Sequence, residues 1–176
     1  MKTGIIYRYD VSSVVFPSIA DMIVSEDNLN LIYGERLRQE FLNGESQLAK
    51  EINKYINNGE LIPKAYWVPF YTALWDSSKT NVFCGLITHI DQFKLFESYF
   101  LDNNISINFI KYYKINNLAA VVDLAVEKYA KVFKGNTEHL ITRIKEFESR
   151  IEPICKYVQD KYNLELFDYM ESEIKI

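Results

Sequence analysis

The sequence predicts an α/β protein with helices on both faces of a mainly parallel sheet of five strands. Short apolar runs typical of buried strands alternate with segments whose apolar residues recur at helical spacing. The 176 residues fall within the usual size of one domain, and 48% of them are hydrophobic, which suffices for a packed core. No internal repeat, low-complexity segment or linker interrupts the chain. We therefore expect a single three-layer α/β/α sandwich spanning residues 1–176.

The first part of the chain begins with a strand and continues into helices. The β-rich run Thr3–Tyr9 predicts the first strand. A helix from about Pro17 to Val24 follows, because proline is tolerated in a first helical turn. Apolar spacing predicts a short helix over Glu35–Asn43, which ends near Gly44.

The next segment is expected to be helical but interrupted. A helix over Gln47–Asn58 can be capped by the Ser46 side chain and ended by Gly59. The aromatic stretch Lys64–Asp76 follows, and Pro69 inside it predicts a kink or a late helix start.

The middle of the chain alternates strand, helix and strand. Asn81–Ile87 is a short apolar run between polar flanks, which fits a strand buried on both faces. Asp91–Leu101 is amphipathic at helical spacing, and Ile105–Tyr113 reads as another strand.

The last part contains two helices and a strand. A continuous apolar stripe predicts a helix over Leu118–Phe133. Thr137 is expected to cap a long helix whose backbone ladder Pro153 should interrupt. Leu164–Asp168 is the last predicted strand.

Charge and cysteine content exclude several classes of protein. The net charge is −4 and no basic block occurs, so we expect no extended binding to nucleic acid. No run approaches the roughly 20 apolar residues that a membrane crossing requires, and the N-terminus lacks a signal-peptide pattern. Cys84 and Cys155 are isolated, which argues against a disulfide framework and favours a cytoplasmic location.

The stretch after residue 33 resembles the monophosphate-binding arm of the adenylate kinase family. That arm opens with a glycine, an acidic residue and then Leu-Arg, and Gly34, Glu35, Leu37 and Arg38 stand in this pattern. It closes with a Gly-acidic-Leu-Val-Pro pattern, which residues 59–63 match as Gly-Glu-Leu-Ile-Pro. The resemblance implies that Arg38 contacts the phosphate of a nucleoside monophosphate.

Two further stretches extend the resemblance. The family has a strand ending Asp-Gly-Phe-Pro-Arg-Thr with a glutamine four residues after the arginine; Gly85 and Gln92 are retained here, whereas Thr88 replaces the arginine. Arg143 matches an arginine of the family's long helix. The resemblance implies a P-loop-kinase-like sandwich with a small helical insertion over residues 34–76. It also implies five nucleotide-binding residues: Gly34, Arg38, Gly85, Gln92 and Arg143.

The departures from the family concern the phosphate donor. The family's first strand runs into a glycine-rich loop with a lysine, whereas no glycine lies between Gly4 and Gly34 and no lysine lies between Lys2 and Lys50. Converging backbone amides and that lysine hold the donor phosphates, so their loss removes most of the mechanism. The arginine-bearing lid is absent as well. We therefore predict a catalytically inactive, adenylate-kinase-like protein that acts by binding, with no catalytic residue and no cofactor.

Alternatives stay open for the function. One is a diverged but active kinase whose phosphate site is built from Arg8, Ser12, Ser13 and Arg143. Another is a purely structural interaction subunit. The aromatic segment Tyr66–Trp75 is either part of the core or a docking surface for a protein partner or a second copy.

Three of the predicted site residues also have an ordinary structural role to consider. Arg38 could pair with Glu35 or Glu45, and Arg143 with Glu146. Gln92 is expected to face solvent in the first turn of its helix. The two histidines and two cysteines lack the spacing of a zinc site, so we predict no metal.

Overall fold

The computed structural model describes residues 1–8, 28–58, 60, 62–123 and 137–168. The side chains of residues 8, 56, 137, 139 and 168 are not described. Several predicted features therefore lie outside the described residues: the helix from Pro17 to Val24, the cap at Gly59, the hydroxyls of Ser12 and Ser13, and the later part of the helix over Leu118–Phe133.

The strands of the described chain form one parallel sheet, which confirms the predicted α/β class. In sequence order they are β1 (Lys2–Arg8), β2 (Leu29–Tyr33), β3 (Thr80–Cys84), β4 (Ser106–Lys114) and β5 (Leu164–Asp168). Their spatial order is β2-β3-β1-β4-β5, and all neighbouring pairs are parallel. The sequence assigns four of these strands and misses β2 as a separate element.

Helices flank the sheet on both faces. They are α1 (Gly34–Asn43), α2 (Gln47–Asn58), α3 (Trp67–Thr72), α4 (Ile90–Asp102), α5 (described over residues 118–123) and α6 (Thr137–Val158). A short 3-10 turn, Lys64–Tyr66, precedes α3. None of the helices in the described part of the chain combines the length and apolar composition that a membrane crossing requires.

The helix ends agree with the predicted signals in two places. The Ser46 hydroxyl accepts a 3.1 Å hydrogen bond from the Ala49 amide and so caps α2. Helix α3 starts late, at Trp67, which places Pro69 in its first turn where the missing amide hydrogen costs little.

Helix α6 is long and contains Pro153, as predicted. Proline has no amide hydrogen, so one bond of the backbone ladder is missing there, while the nearby Ile151 and Ile154 are fully buried. One predicted boundary is wrong. Strand β3 stops at Cys84 rather than continuing to residue 87. Gly85 and Ile87 both have positive φ angles, 64° and 57°, which a strand cannot accommodate.

Alternating residues of the sheet feed two separate apolar clusters. Ile5 and Tyr7 of β1 face the larger cluster, which contains side chains of α1, α2, α4 and α6. Ile6 faces the second cluster, together with side chains of α5 and the first turns of α6. The two cysteines lie on opposite faces, since Cys84 belongs to the second cluster and Cys155 packs against the first. The arrangement is that of a three-layer α/β/α sandwich.

Close packing on the second face explains the glycine in β1. A Cβ atom on Gly4 would lie 2.3 Å from the Phe109 ring, so only glycine lets this ring lie against the central strand. The pairing of β1 with β4 shifts register at the same point, between Thr3 and Gly4. The glycine therefore reflects packing rather than a phosphate-binding loop.

Candidate functional site

The carboxyl ends of β2 and β3 bring two distant stretches of sequence together. Tyr33 and Cys84, the last residues of these strands, are paired in the sheet. Gly34 and Gly85 follow them directly and therefore leave the sheet side by side. In open α/β sheets, ligands bind outside the carboxyl ends of the strands. The predicted residues Gly34 and Gly85 are thus neighbours at the edge where this fold places ligands.

The topology also identifies the centre of that edge. The chain leaves β1 toward β2 on one side of the sheet and leaves β4 toward β5 on the other, although β1 and β4 are neighbours. Their carboxyl ends therefore form the topological switch point. Residues 9–27, which follow β1, lie outside the described residues. The alternative phosphate site of Arg8, Ser12, Ser13 and Arg143 consequently stays a prediction.

The turn after β3 is conformationally strained. The Gly85 amide donates a 2.8 Å bond to the Ile6 carbonyl, which ties the turn to β1. Ile87 has a φ of 57°, a conformation that costs a β-branched residue roughly 1–3 kcal/mol. Its side chain is only 1% exposed, and its carbonyl accepts a 3.1 Å bond from the Tyr7 hydroxyl. Burial raises the pKa of Tyr7, which keeps that hydroxyl a donor.

Gln92 does not face solvent, and the expectation that it does is wrong. It lies in the first turn of α4, is only 9% exposed and hydrogen-bonds the Tyr71 hydroxyl. Burial raises the pKa of Tyr71, and this hydrogen bond opposes the increase. Gln92 therefore connects α4 to α3, and part of its hydrogen-bonding capacity is used within the protein.

The start of α1 is exposed in the described part of the chain. Gly34 and Arg38 are exposed, and a Cβ atom on Gly34 would meet nothing within 4 Å. Tyr33 is the N-cap residue of this helix and makes no side-chain hydrogen bond to its first amides. Within the described chain the Arg38 side chain forms no hydrogen bond or ion pair, and Glu35 accepts a 3.1 Å bond from Gln39.

Arg143 also lies on the surface. It belongs to the turn of α6 that carries Leu140 and Ile144, which pack beside Cys84 and Ile115 at the carboxyl edge. In the described part of the chain it forms no ion pair with Glu146. That Arg143 contacts a phosphate stays a prediction.

Sequence reasoning missed a different arginine, Arg36, and the polar residues that hold it. One nitrogen of its guanidinium, Nη1, donates to the Asn30 Oδ1 at 2.8 Å and to the Leu31 carbonyl at 2.6 Å. Asn30 in turn donates to the Asn81 Oδ1 at 2.7 Å. Asn81 is fully buried and exchanges bonds of 2.9 and 3.0 Å with the backbone of Asp76. We call Asn30, Arg36, Asp76 and Asn81 the amide cluster.

A second polar group fastens α4 to the end of α6. Glu97 is 7% exposed and accepts bonds from the Tyr157 hydroxyl at 2.8 Å, the Lys161 Nζ at 2.8 Å and the Tyr162 hydroxyl at 2.6 Å. Burial favours a higher pKa for Glu97, but the bonds from Lys161, Tyr162 and Tyr157 outweigh it and lower the pKa. We call these four residues the Glu97 cluster.

The aromatic segment Tyr66–Trp75 packs against the core rather than standing out from it. Phe70 is buried, and the other rings of the segment are partly buried on the larger cluster. The Trp67 Nε1 donates to the Ile62 carbonyl at 2.9 Å, and the Trp75 ring stacks on Phe100. The geometry favours the core alternative for this segment. A docking role stays a prediction.

The described residues contain no group of three or more histidine, cysteine, aspartate or glutamate side chains that could hold a metal ion.

No known family model matches this chain. No curated protein matches it either. The likeness to adenylate kinases therefore rests on the motifs given above.

Proposed function

We propose that the chain binds a nucleoside monophosphate at the carboxyl edge, between the start of α1 and the turn after β3, without transferring a phosphate. The observation that carries the proposal is the Tyr33–Cys84 pairing, because it sets Gly34 beside Gly85. Arg38 lies one turn further along α1, exposed and without a partner among the described residues. The two stretches that carry separate motifs of the resemblance therefore lie side by side, which supports the proposal.

The charges at this place suit a phosphate. A helix start presents backbone amides and the positive end of the helix dipole, and both attract an anion. Arg38 adds a guanidinium within one turn, which can bind two phosphate oxygens at once. The base receives less recognition, because Gln92 is buried and bonded to Tyr71. We therefore expect weak discrimination among bases.

The segment after β1 lacks the residues on which phosphoryl transfer depends. Residues 5–33 contain no glycine and residues 3–49 contain no lysine, so the segment after β1 offers no glycine-rich nest and no phosphate-binding lysine. Phosphoryl transfer depends on such positioning and charge stabilisation.

We also propose a cytoplasmic location, since the two cysteines lie on opposite faces of the sheet and form no disulfide with each other.

Calorimetry with AMP at concentrations up to about 10 mM tests the proposal. We expect binding by the unchanged protein and at least about tenfold weaker binding by Arg38→Ala. Arg150→Ala is the matched control, because Arg150 is an exposed arginine on α6 that bonds only the Glu146 carbonyl in the described chain. Absence of heat with AMP, or equal binding by Arg38→Ala, refutes the proposal.

A coupled assay with ATP, Mg²⁺ and a panel of monophosphates tests the second half of the proposal. We expect no turnover above background. Turnover that disappears in Arg143→Ala would instead establish the diverged kinase.

A further inference from the structure

A polar pocket lies on the side of α1 that faces away from Arg38. Arg36 and Arg38 are two positions apart on the helix, which rotates their side chains by about 200° relative to each other. The pocket has a volume of about 330 Å³ and is open to solvent, a size within the range of small-molecule sites. Its lining residues are Arg36, Gln39, Glu40, Asn43, Gly44 and Leu74.

Arg36 is held rigidly at the wall of this pocket. Its Nη1 makes both bonds to Asn30 and Leu31, whereas Nε and Nη2 have no partner among the described residues. The opposite edge of the guanidinium therefore keeps two parallel donors, the arrangement that binds a carboxylate. The rest of the amide cluster fixes Asn30 from behind, so little side-chain entropy is lost when a ligand binds.

Glu40 supplies the opposite charge one helical turn away. Side chains at this spacing are neighbours, with Cβ atoms about 5–6 Å apart. Within the described chain Glu40 and Arg36 form no ion pair, and the Glu40 carboxylate accepts no hydrogen bond. A ligand with a single charge would be attracted by one of the two and repelled by the other. Leu74 adds an apolar wall whose position is fixed, because its carbonyl accepts a 2.7 Å bond from Asn30.

We propose that this pocket binds the zwitterionic head of a free α-amino acid. The carboxylate lies on the free edge of Arg36, the ammonium lies on Glu40, and Leu74 faces the side chain. The site is separate from the nucleotide site and does not depend on it.

Calorimetry and thermal shift with each of the twenty common amino acids, in the absence of nucleotide, test the proposal. We expect at least one to bind with a dissociation constant near or below about 1 mM. The same amino acid without its carboxylate (the amine) and without its ammonium (the hydroxy acid) should each bind at least about tenfold more weakly.

Two variants keep the test independent of folding. Glu40→Gln removes one charge from an exposed side chain with no described partner and should weaken the amino acid at least about tenfold. Glu45→Gln is the matched control, because Glu45 is exposed nearby but does not line the pocket, and it should bind like the unchanged protein. Failure of all twenty amino acids, or unchanged binding by Glu40→Gln, overturns the proposal.

Discussion

The amide cluster and the Glu97 cluster both bury polar side chains, but they differ in how completely their bonds are used. In the Glu97 cluster both carboxylate oxygens accept bonds, from Tyr157, Lys161 and Tyr162, and the group is closed. In the amide cluster the bonds run outward from Asn81 through Asn30 to Arg36, whose outer edge lines a pocket.

This difference separates a structural role from a binding role. A group whose donors and acceptors are all bonded within the protein has none left for a ligand. A group that ends in a fixed cation with unused donors is preorganised for binding. The fold already holds the side chain in place, so little side-chain entropy is lost when a ligand binds.

The largest effect is expected from opening the closed group. Glu97→Ala removes the acceptor of three bonds, two of them to hydroxyls and one to an ammonium. We expect a loss of about 3 kcal/mol in the free energy of unfolding, measured by urea denaturation, with ligand binding unchanged. Glu45→Ala, on an exposed glutamate, is the control and should change stability little. A loss no larger than that of the control would show that the cluster contributes nothing.

A somewhat smaller effect is expected at the root of the amide cluster. Asn81→Ala leaves the Asp76 amide and one Asn30 donor without their acceptor, and we expect a loss of about 2 kcal/mol. Because Asn30 then loses its support, Arg36 becomes mobile and amino acid binding should weaken as well. If Asn81→Ala lowers the free energy of unfolding but leaves amino acid binding unchanged, Asn81 does not support the position of Arg36.

The two arginines of α1 differ in their contacts, and we expect their substitutions to differ in effect. Arg36→Ala breaks the bonds to Asn30 and Leu31 and should lower the free energy of unfolding by about 1 kcal/mol. Arg38→Ala touches no described partner, so denaturation should find its stability unchanged. If both variants lower the free energy of unfolding equally, the bonds from Arg36 to Asn30 and Leu31 contribute nothing to stability.

The sequence predicts most of the fold because apolar period and turn residues are local signals. Four strands, the Ser46 cap and the late start of α3 follow from such signals. Strand β2 is missed because its five residues adjoin the helix signal and include the polar Asn30.

The sites are less predictable because their geometry is set by contacts between distant residues. Spacing alone gives Arg36 and Arg38 equal weight, whereas the positions of Asn30 and the Leu31 carbonyl decide that Arg36 is held. Gln92 is buried and interacts with Tyr71, which belongs to another helix. The available signal was the presence of Asn30 and Asn81 in otherwise apolar strands, since a buried polar side chain requires a partner.

The smallest effect is a difference in pH dependence between the two clusters. The pKa of Glu97 is lower in the folded protein than its ordinary value of 4.5, so the unfolded chain takes up the proton first as the pH falls. The stability that Glu97 contributes is therefore complete above pH 4.5 and is lost as the pH falls through the lower, folded pKa. The stability difference between the unchanged protein and Glu97→Gln should shrink over that window, whereas the difference for Asn81→Ala should stay constant because amides do not titrate. Urea denaturation of the three proteins across this range measures both, and the subtraction cancels the other carboxyl groups. A Glu97→Gln difference that grows on acidification would mean that the carboxylate is held against its preference, and that the closed cluster is a strained element rather than a stabilising one.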